Sequence, residues 1–203
     1  MKPGGGKPGG GKPGAAKPGK ASGLRIIAGE WRGRRLVAPE GDATRPTADR
    51  TREALFSMLV SRLGSFEGLF VADLFAGSGA LGLEALSRGA GRVLFVEQDA
   101  PALRALRSNI AALGVQARCD VRAGSVLSLS QTSTPPDLIL MDPPYGTGAG
   151  AVALDRLDRL GWVESATWIS IETSRDEDIS VKGFESETVR DCGKARLHIL
   201  RKI

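Results

Sequence analysis

The most chemically distinctive stretch of the sequence is Asp142, Pro143, Pro144 and Tyr145. It follows the apolar run 138–141, which predicts a strand, and open α/β sheets bind ligands beyond the carboxyl ends of their strands. Two successive prolines fix the backbone, so the Asp142 carboxylate and nearby carbonyl groups are held as hydrogen-bond acceptors. Tyr145 adds a flat face for stacking. An exocyclic amine on a planar base needs both features, and the four residues are therefore the predicted catalytic group. A rigid turn with a half-buried tyrosine is the structural alternative.

A glycine-rich turn forms the second candidate site. Gly77, Gly79 and Gly82 fit G-x-G-x-x-G between a predicted strand and a predicted helix, a placement typical of nucleotide-like ligands. Asp73 stands just before the turn, where its carboxylate would repel a phosphate but would suit an ammonium group. S-adenosylmethionine has an ammonium group, a ribose and no phosphate, so we expect it as the cofactor. In the alternative interpretation, Asp73 only caps the turn.

An acidic residue after the second predicted strand is expected to bind the cofactor ribose. Glu97 is the first candidate and Asp99 the second. We predict no metal site. The cofactor-binding residues predicted from this part of the chain are Asp73, Phe75, Ala76, Gly77, Ser78, Gly79, Gly82, Glu97 and Gln98.

The elements that must position these residues alternate between strand and helix. Strands are predicted at 69–75, 92–96, 117–122, 138–141 and 167–172, and helices at 80–87, 101–113 and 151–160. This alternation predicts an α/β fold, a mostly parallel sheet with helices on both faces. Two final strands, 187–190 and 195–201, are close enough to form an antiparallel C-terminal edge.

Upstream of this alternation, the sequence predicts a small extension. Stretches 24–27 and 34–37 indicate a hairpin, and a helix follows the turn 44–47, with Thr47 as its cap and Gly64 as its end. The predicted division is a tail at 1–22, a hairpin–helix extension at 23–62 that faces RNA, and a catalytic domain at 63–203.

Charge is distributed unevenly along the chain. The net charge is +5, and residues 1–20 contain five lysines and no acid, so the remainder is neutral overall. The tail repeats Lys-Pro-Gly units that have nothing to bury, which predicts disorder. It is either a solubilising tail or a mobile polycation for nucleic acid. Residues 24–62 carry eight bases and five acids, which points to an anionic partner on that side.

The predicted RNA-binding residues lie in this basic segment. Guanidinium groups beside an aromatic ring suit phosphate contacts and stacking, and the predicted residues are Arg25, Trp31, Arg32, Arg34, Arg35, Arg45 and Arg50. In the alternative interpretation, the arginines are the solvated edge of the hairpin and Trp31 is its core.

Several classes of protein are excluded or disfavoured. No apolar run approaches the roughly 20 residues that span a bilayer, and a hydrophobic fraction of 41% excludes global disorder. Cys119, Cys192 and the single histidine, His198, form no disulfide framework or zinc motif, so we expect packing roles for them and a cytoplasmic protein. We expect a monomer that does not associate with membranes.

These motifs together resemble a known family. The stretches RIIAGEWRGR (25–34), RPTADRTREALF (45–56), DLFAGSGALGLEAL (73–86) and DPPY (142–145) are similar to the bacterial ribosomal RNA small-subunit methyltransferase D family. Its members have the Rossmann-like class I methyltransferase fold and make N2-methylguanine in 16S rRNA. The resemblance covers the chain from residue 24 onward and leaves out the tail.

The resemblance implies that S-adenosylmethionine binds at Asp73, Gly77, Gly79 and Glu97, and that residues 142–145 hold a guanine of 16S rRNA or of a partly assembled small subunit. Where the family often has an acid or amide near the adenine, this chain has Ser125 and Val126. Three alternatives stay open at this point: transfer to adenine N6 or cytosine N4 of DNA or RNA, an NAD-dependent dehydrogenase, and a non-catalytic RNA-binding module.

Overall fold

The computed structural model describes Met1, residues 23–39 and the backbone from residue 46 onward, with side chains from residue 49. The predictions for residues 2–22, for Arg45 and for the side chain of Thr47 lie outside the described residues.

One sheet of seven strands organises the described chain. The strands are β1 (Phe70–Leu74), β2 (Arg92–Glu97), β3 (Cys119–Ala123), β4 (Leu138–Met141), β5 (Trp168–Ser174), β6 (Phe184–Cys192) and β7 (Ala195–Lys202). Their order is β3-β2-β1-β4-β5-β7-β6. Strands β1 to β5 are parallel, whereas β7 pairs antiparallel with β5 and with β6. The predicted α/β fold with an antiparallel C-terminal edge is confirmed.

Four helices pack on the sheet: α1 (Pro46–Leu63), α2 (Ala80–Ser87), α3 (Ala100–Leu113) and α4 (Ala149–Arg159). Apolar residues of α1, α2 and α3 share one buried cluster on one face, and those of α4 join a second cluster on the other. Among the described helices, none combines the length and the apolarity needed to cross a bilayer.

The predicted boundaries agree with the structure within two residues except at the start of β6, and three of the differences have physical reasons. Helix α1 begins at Pro46, where a missing N–H costs nothing, so Thr47 lies inside the first turn instead of preceding it. Residues 116–118 form a single 3-10 turn, which delays β3 to Cys119. Strand β6 begins at Phe184, earlier than predicted, because it stays paired with β7 as far as Lys202.

The N-terminal hairpin is held mainly by backbone hydrogen bonds. The N–H of Ile26 donates to the carbonyl of Arg34, and that of Leu36 donates to Leu24, each at 2.9 Å. Leu24, Ile26 and Leu36 are buried in the same cluster as helices α1 to α3. The predicted hairpin therefore exists, with an isolated bridge between Arg25 and Arg35 in place of two extended strands, and it packs against helices α1 to α3.

A buried glutamate on α2 anchors this hairpin. Glu84 is fully buried, and its carboxylate accepts the N–H groups of Ile27 at 2.7 Å and Ala28 at 3.0 Å. The guanidinium of Arg88 lies 2.8 Å from the same carboxylate and that of Arg52 lies 4.0 Å from it. The charge of Glu84 is thus compensated, and two backbone donors outside any strand ladder are satisfied.

We predict that Glu84→Ala strongly destabilises the protein. The substitution leaves two part-buried backbone donors and the guanidinium of Arg88 without their acceptor and removes a negative charge beside Arg52. Removing one partner of a buried ion pair costs about 3–5 kcal/mol. Urea unfolding followed by circular dichroism measures the change in the free energy of unfolding. The control is Glu53→Ala on the exposed face of α1, expected to stay within about 0.5 kcal/mol of the parent. A decrease of less than about 1 kcal/mol for Glu84→Ala would contradict this role.

Candidate active site at the carboxyl edge of the sheet

The glycine-rich turn between β1 and α2 uses backbone conformations that favour glycine. Gly77 and Gly79 have φ values of 56° and 82°. A Cβ at Gly79 would lie 2.3 Å from Cδ1 of Leu106, and one at Gly82 would lie 2.3 Å from Cε1 of Phe95. A Cβ at Gly77 would meet only open space. Gly79 and Gly82 therefore allow α2 to pack closely against Leu106 and Phe95, whereas the missing side chain of Gly77 leaves space beside the backbone of the turn.

Asp73 supports the turn from inside the protein. Its carboxylate is buried and accepts the N–H of Gly82 at 2.8 Å. Burial raises the pKa of Asp73 well above the usual value; the hydrogen bond from Gly82 opposes that shift, and the charges of Asp142 and Glu97 add to it. This geometry supports the interpretation in which Asp73 caps the turn.

Glu97 closes the turn from the end of β2. One carboxylate oxygen accepts the N–H of Gly77 at 2.7 Å, and the other accepts those of Gln98 and Asp99, each at 2.7 Å. Asp99, the second ribose candidate, caps α3 by accepting the N–H of Ala102 at 2.9 Å. Glu97 therefore lies at the predicted place, with its carboxylate oriented by three backbone donors.

Phe75 is the single described non-glycine residue with a positive φ, at 66°. Such a conformation costs of order 1 kcal/mol or more and persists only where the surroundings impose it. Here the N–H of Ala76 donates to the carbonyl of Val96 at 3.0 Å, which ties the chain after Phe75 to the end of β2. This strained residue lies two positions before Gly77, and strained backbone is common at ligand-binding sites.

A cavity of about 530 Å³ joins the two predicted motifs, and this volume lies in the range usual for small-molecule sites. Its lining residues are Phe75, Gly77, Val96, Glu97, Gln98, Asp99, Gly124, Ser125, Val126, Asp142, Pro143, Pro144 and Tyr145. The structure thus brings the four predicted catalytic residues together with six of the predicted cofactor residues. The other five, which lie outside this lining, are Asp73, Ala76, Ser78, Gly79 and Gly82.

Ser125 reaches the cavity from the loop after β3. Its hydroxyl accepts the N–H of Leu127 at 3.2 Å and so caps the short turn Val126–Ser128. The carbonyl of Ser125 accepts the hydroxyl of Ser128 at 2.7 Å. The loop that replaces the family's usual acid or amide is therefore fixed by its own serines beside the cavity.

The loop after β4 is held by two glutamates that the sequence analysis missed. The hydroxyl of Tyr145 donates to the carboxylate of Glu172 on β5. Glu177, just beyond β5, accepts the N–H groups of Gly146 at 2.9 Å and Gly148 at 3.2 Å. Burial is the main reason why the pKa values of both Tyr145 and Glu172 are raised. The sequence signal that could have identified them is the presence of acidic residues at the end of a predicted strand.

The predicted RNA-binding residues divide into exposed and engaged groups. Arg32 and Arg35 are exposed, and Arg34 donates to the carbonyl of Ala112 at the end of α3 at 2.9 Å. Arg25 lies 3.4 Å from Asp49, and Trp31 packs partly buried against the core. Arg50 is exposed on α1. Trp31 therefore follows the alternative interpretation of a packed hairpin residue.

Two further exposed arginines lie on α3, the helix against which the hairpin packs. Arg104 and Arg107 are exposed on α3, and Asn109 on the same helix exchanges hydrogen bonds with the backbone of Val37 at 2.7 and 2.9 Å. Helix α3 contains these two bases and no acid. The fold thus extends the basic surface from the hairpin onto α3, which sequence analysis missed because the two segments are distant along the chain.

A second concavity, of about 570 Å³, lies at the opposite edge of the sheet and includes Arg88 and Arg118 among its lining residues. Arg118 donates to the carbonyl groups of Leu86, Ala90 and Gly91, while Arg88 pairs with Glu84. Both guanidinium groups therefore hold the fold, and neither catalytic motif reaches this end of the molecule. The carboxyl-edge cavity is the candidate site.

The remaining singled-out residues have packing roles. Burial raises the pKa of Cys119 to about 11, which disfavours a reactive thiolate, and Cys192 is also a free, partly buried thiol. His198 is buried on β7, and burial lowers its pKa. No group of three or more metal-ligating side chains occurs in the part of the chain whose side chains are described.

We predict that Asp73→Asn preserves the fold and changes its pH dependence. Because the pKa of Asp73 is raised in the folded state, ionisation above the unfolded value near about pH 4 costs stability, and the cost grows until the pH reaches the folded pKa. Asparagine still offers an oxygen to Gly82 but carries no charge. The stability of Asp73→Asn relative to the parent should therefore rise as the pH increases above about 4, measured by urea unfolding. A relative stability that stays level or falls as the pH increases would contradict the raised pKa of Asp73.

Comparison with known proteins gives the family. A family model described as "Conserved hypothetical protein 95" matches residues 24–201. Ribosomal RNA small subunit methyltransferase D of Escherichia coli K12 is 38% identical over 150 residues, 74% of each chain. The Haemophilus influenzae protein of that name is 35% identical over 164 residues, 77% of this chain and 81% of its own.

Solved structures agree with this assignment. A hypothetical protein of Thermus thermophilus superposes with a TM-score of 0.70 at 29% identity, over 89% of this chain and 99% of that one. Magnesium protoporphyrin IX methyltransferase of Synechocystis PCC 6803, solved with bound SAM, gives a TM-score of 0.61 at 14% identity over 80% and 87% of the two chains, which shows a shared fold. The Rossmann-like class I methyltransferase fold is confirmed, and the chain belongs to the ribosomal RNA small subunit methyltransferase D family.

Proposed function

We propose that this methyltransferase transfers a methyl group from S-adenosylmethionine to the exocyclic N2 of a guanine in 16S ribosomal RNA. The observation that carries the proposal is that one cavity is lined by Gly77, Glu97 and Ser125 on one side and by Asp142 and Tyr145 on the other. A methyl donor and an acceptor base must meet in one space, and this cavity supplies it.

The described residues fit the cofactor. Glu97 presents a carboxylate for the ribose hydroxyl groups, Gly77 leaves its backbone open to the ligand, and Ser125 lies where the adenine amine would be bound. When bound, S-adenosylmethionine supplies a methyl group on a positively charged sulfur. In this proposal Asp73 acts through the turn it caps, whereas the sequence pattern alone favoured its contact with the ammonium group.

The residues of the loop after β4 would bind and orient the guanine. The Asp142 carboxylate and adjacent carbonyl groups accept the N–H groups of the amine, and the exposed ring of Tyr145 provides the stacking surface. Holding the amine in this way directs the nitrogen lone pair toward the methyl group, so catalysis comes mainly from positioning and electrostatics. The proton that the nitrogen releases on forming the new bond passes to Asp142 or to water.

The relatives named for ribosomal RNA support an RNA substrate, and the basic surface of this chain suits one. Arg104 and Arg107 are about one helical turn apart on α3, and the carbonyl of Ala112, which Arg34 contacts, lies about 7.5 Å beyond Arg107 along that helix. Helix α3 begins next to Asp99 in the cavity wall. A monomer acting on 16S rRNA, naked or in a partly assembled subunit, would bind phosphates along this surface.

We predict that Asp142→Ala abolishes most of the methyl transfer. Removing a preorganised polar group from an active site typically lowers kcat by about 10²–10³-fold. The assay uses labelled S-adenosylmethionine with 16S RNA and small-subunit particles, then nuclease digestion and identification of the modified nucleoside. N2-methylguanosine is expected. Methylated adenosine or cytidine would assign another acceptor, and unchanged activity of Asp142→Ala would contradict the mechanism.

We predict that Arg104→Ala combined with Arg107→Ala weakens RNA binding without changing the modified base. For single-stranded RNA, each phosphate that the protein no longer neutralises should reduce the slope of log affinity against log salt by about 0.7. The control removes two exposed positive charges elsewhere, by Arg159→Ala at the end of α4 and Lys182→Ala before β6. Filter binding over a range of salt concentrations measures both pairs. Equal effects of the two pairs would contradict a specific surface on α3.

A further inference from the structure

The loop that presents Tyr145 has little apolar packing of its own. Pro143 is buried, but Pro144, Tyr145, Gly146 and Thr147 are exposed. Gly146 and Gly148 have φ values of 70° and 65°, so they contribute neither side chains nor an ordinary backbone conformation. The position of this loop must therefore come from polar contacts.

Those polar contacts come from the carboxyl end of β5, which is the neighbour of β4 in the sheet. Glu172 accepts the hydroxyl of Tyr145, and Glu177 accepts the two N–H groups of Gly146 and Gly148. Within the loop, the hydroxyl of Thr147 donates to the carbonyl of Pro144 at 2.7 Å. The ring and the backbone of the loop are thus held separately, by two different glutamates.

Glu177 is itself held in place by β5. The buried hydroxyl of Thr173 lies 3.0 Å from the carbonyl of Glu177, and Nε2 of His198 lies 3.2 Å from that hydroxyl. The N–H of Glu177 also donates to the carbonyl of Ser174 at 3.0 Å. The buried end of β5 therefore fixes the backbone of Glu177, whose carboxylate accepts the N–H groups of the loop.

We propose that Glu172 and Glu177 are positioning residues that set the ring of Tyr145 for stacking on the target base. The inference rests on the proposed function. Neither glutamate lines the cavity, so both act through other groups: Glu172 through the Tyr145 hydroxyl, and Glu177 through the backbone after it. A ring ordered before the base arrives loses less conformational entropy on binding.

A double-mutant cycle tests the part played by Glu172. Glu172→Ala and Tyr145→Phe each remove the same hydrogen bond, so each should lower kcat/KM for RNA by about tenfold. The double variant should have a kcat/KM no lower than that of the less active single variant, because no further hydrogen bond is lost. Glu172→Gln keeps an oxygen for the hydroxyl and should restore most of the activity. Additive losses in the double variant, or full activity of Glu172→Ala, would overturn the proposal for Glu172.

Substitution by glutamine should have different effects on activity at Glu172 and at Glu177. Glu177→Gln can accept one of the two N–H groups but presents its own amide N–H groups to the other, so it should lose activity nearly as Glu177→Ala does. Affinity for S-adenosylmethionine, measured by calorimetry, should stay within about threefold of the parent for all these variants, because the cofactor side of the cavity is untouched. Glu177→Gln with parental activity would overturn the role of Glu177.

The final measurement does not depend on RNA or on turnover. Tyr145 is the chain's one tyrosine, so ring-labelled tyrosine gives a single set of aromatic NMR signals from the whole protein. Glu172→Ala should shift and sharpen these signals, Glu172→Gln should shift them little, and Glu185→Ala on the edge strand β6 should leave them unchanged. Unchanged signals in Glu172→Ala would overturn the proposal. If these shifts appear while the parent protein methylates no RNA, the proposed function fails and the contact stands.

Discussion

The placement of helix α2 is the constraint on which the cofactor turn and the N-terminal hairpin both depend. Near its start, Gly82 donates to Asp73 and lies against the ring of Phe95. Two residues later, Glu84 accepts backbone N–H groups of the hairpin. The helix has eight residues, about 12 Å, so a shift at one attachment moves the other. The proposed RNA-binding and cofactor-binding parts are thereby fixed relative to each other by one short rigid element.

Carboxylates that accept backbone N–H groups recur wherever the chain leaves regular structure near the site. Glu97, Glu84 and Glu177 each accept at least two such groups, and the partners of Glu84 and Glu177 lie far away in sequence. Backbone donors in irregular segments need acceptors from elsewhere, and the donors include glycines with positive φ such as Gly77 and Gly146. Glu97 and Glu177 supply them at the carboxyl edge of the sheet, which adds negative charge there although the chain beyond the tail is neutral overall.

The parts of the site that were predictable from sequence are those encoded locally. A strand followed by a glycine turn or by Asp142 and its two prolines places those residues at the carboxyl edge, whatever the strand order. The glutamates that hold Tyr145 are 27 and 31 residues from their partners and depend on β5 lying beside β4. Arg104 belongs to the basic surface only because the hairpin packs on α3. Asp73 shows a different limit of prediction from sequence. An aspartate at this position could contact the ammonium group of the cofactor or cap the turn, and its burial and its hydrogen bond with Gly82 favour capping.

The distribution of charge around the cavity constrains how a nucleotide can enter. The lining of the cavity is acidic, with Glu97, Asp99 and Asp142, whereas Arg104 and Arg107 are exposed further along α3, the helix that Asp99 caps. In the proposed function, phosphates would favour the exposed arginines of α3, whereas an amine that donates hydrogen bonds would favour the acidic cavity. A base turned out of its helix toward Tyr145 would satisfy both preferences, because its backbone would stay outside the cavity while its amine faced Asp142.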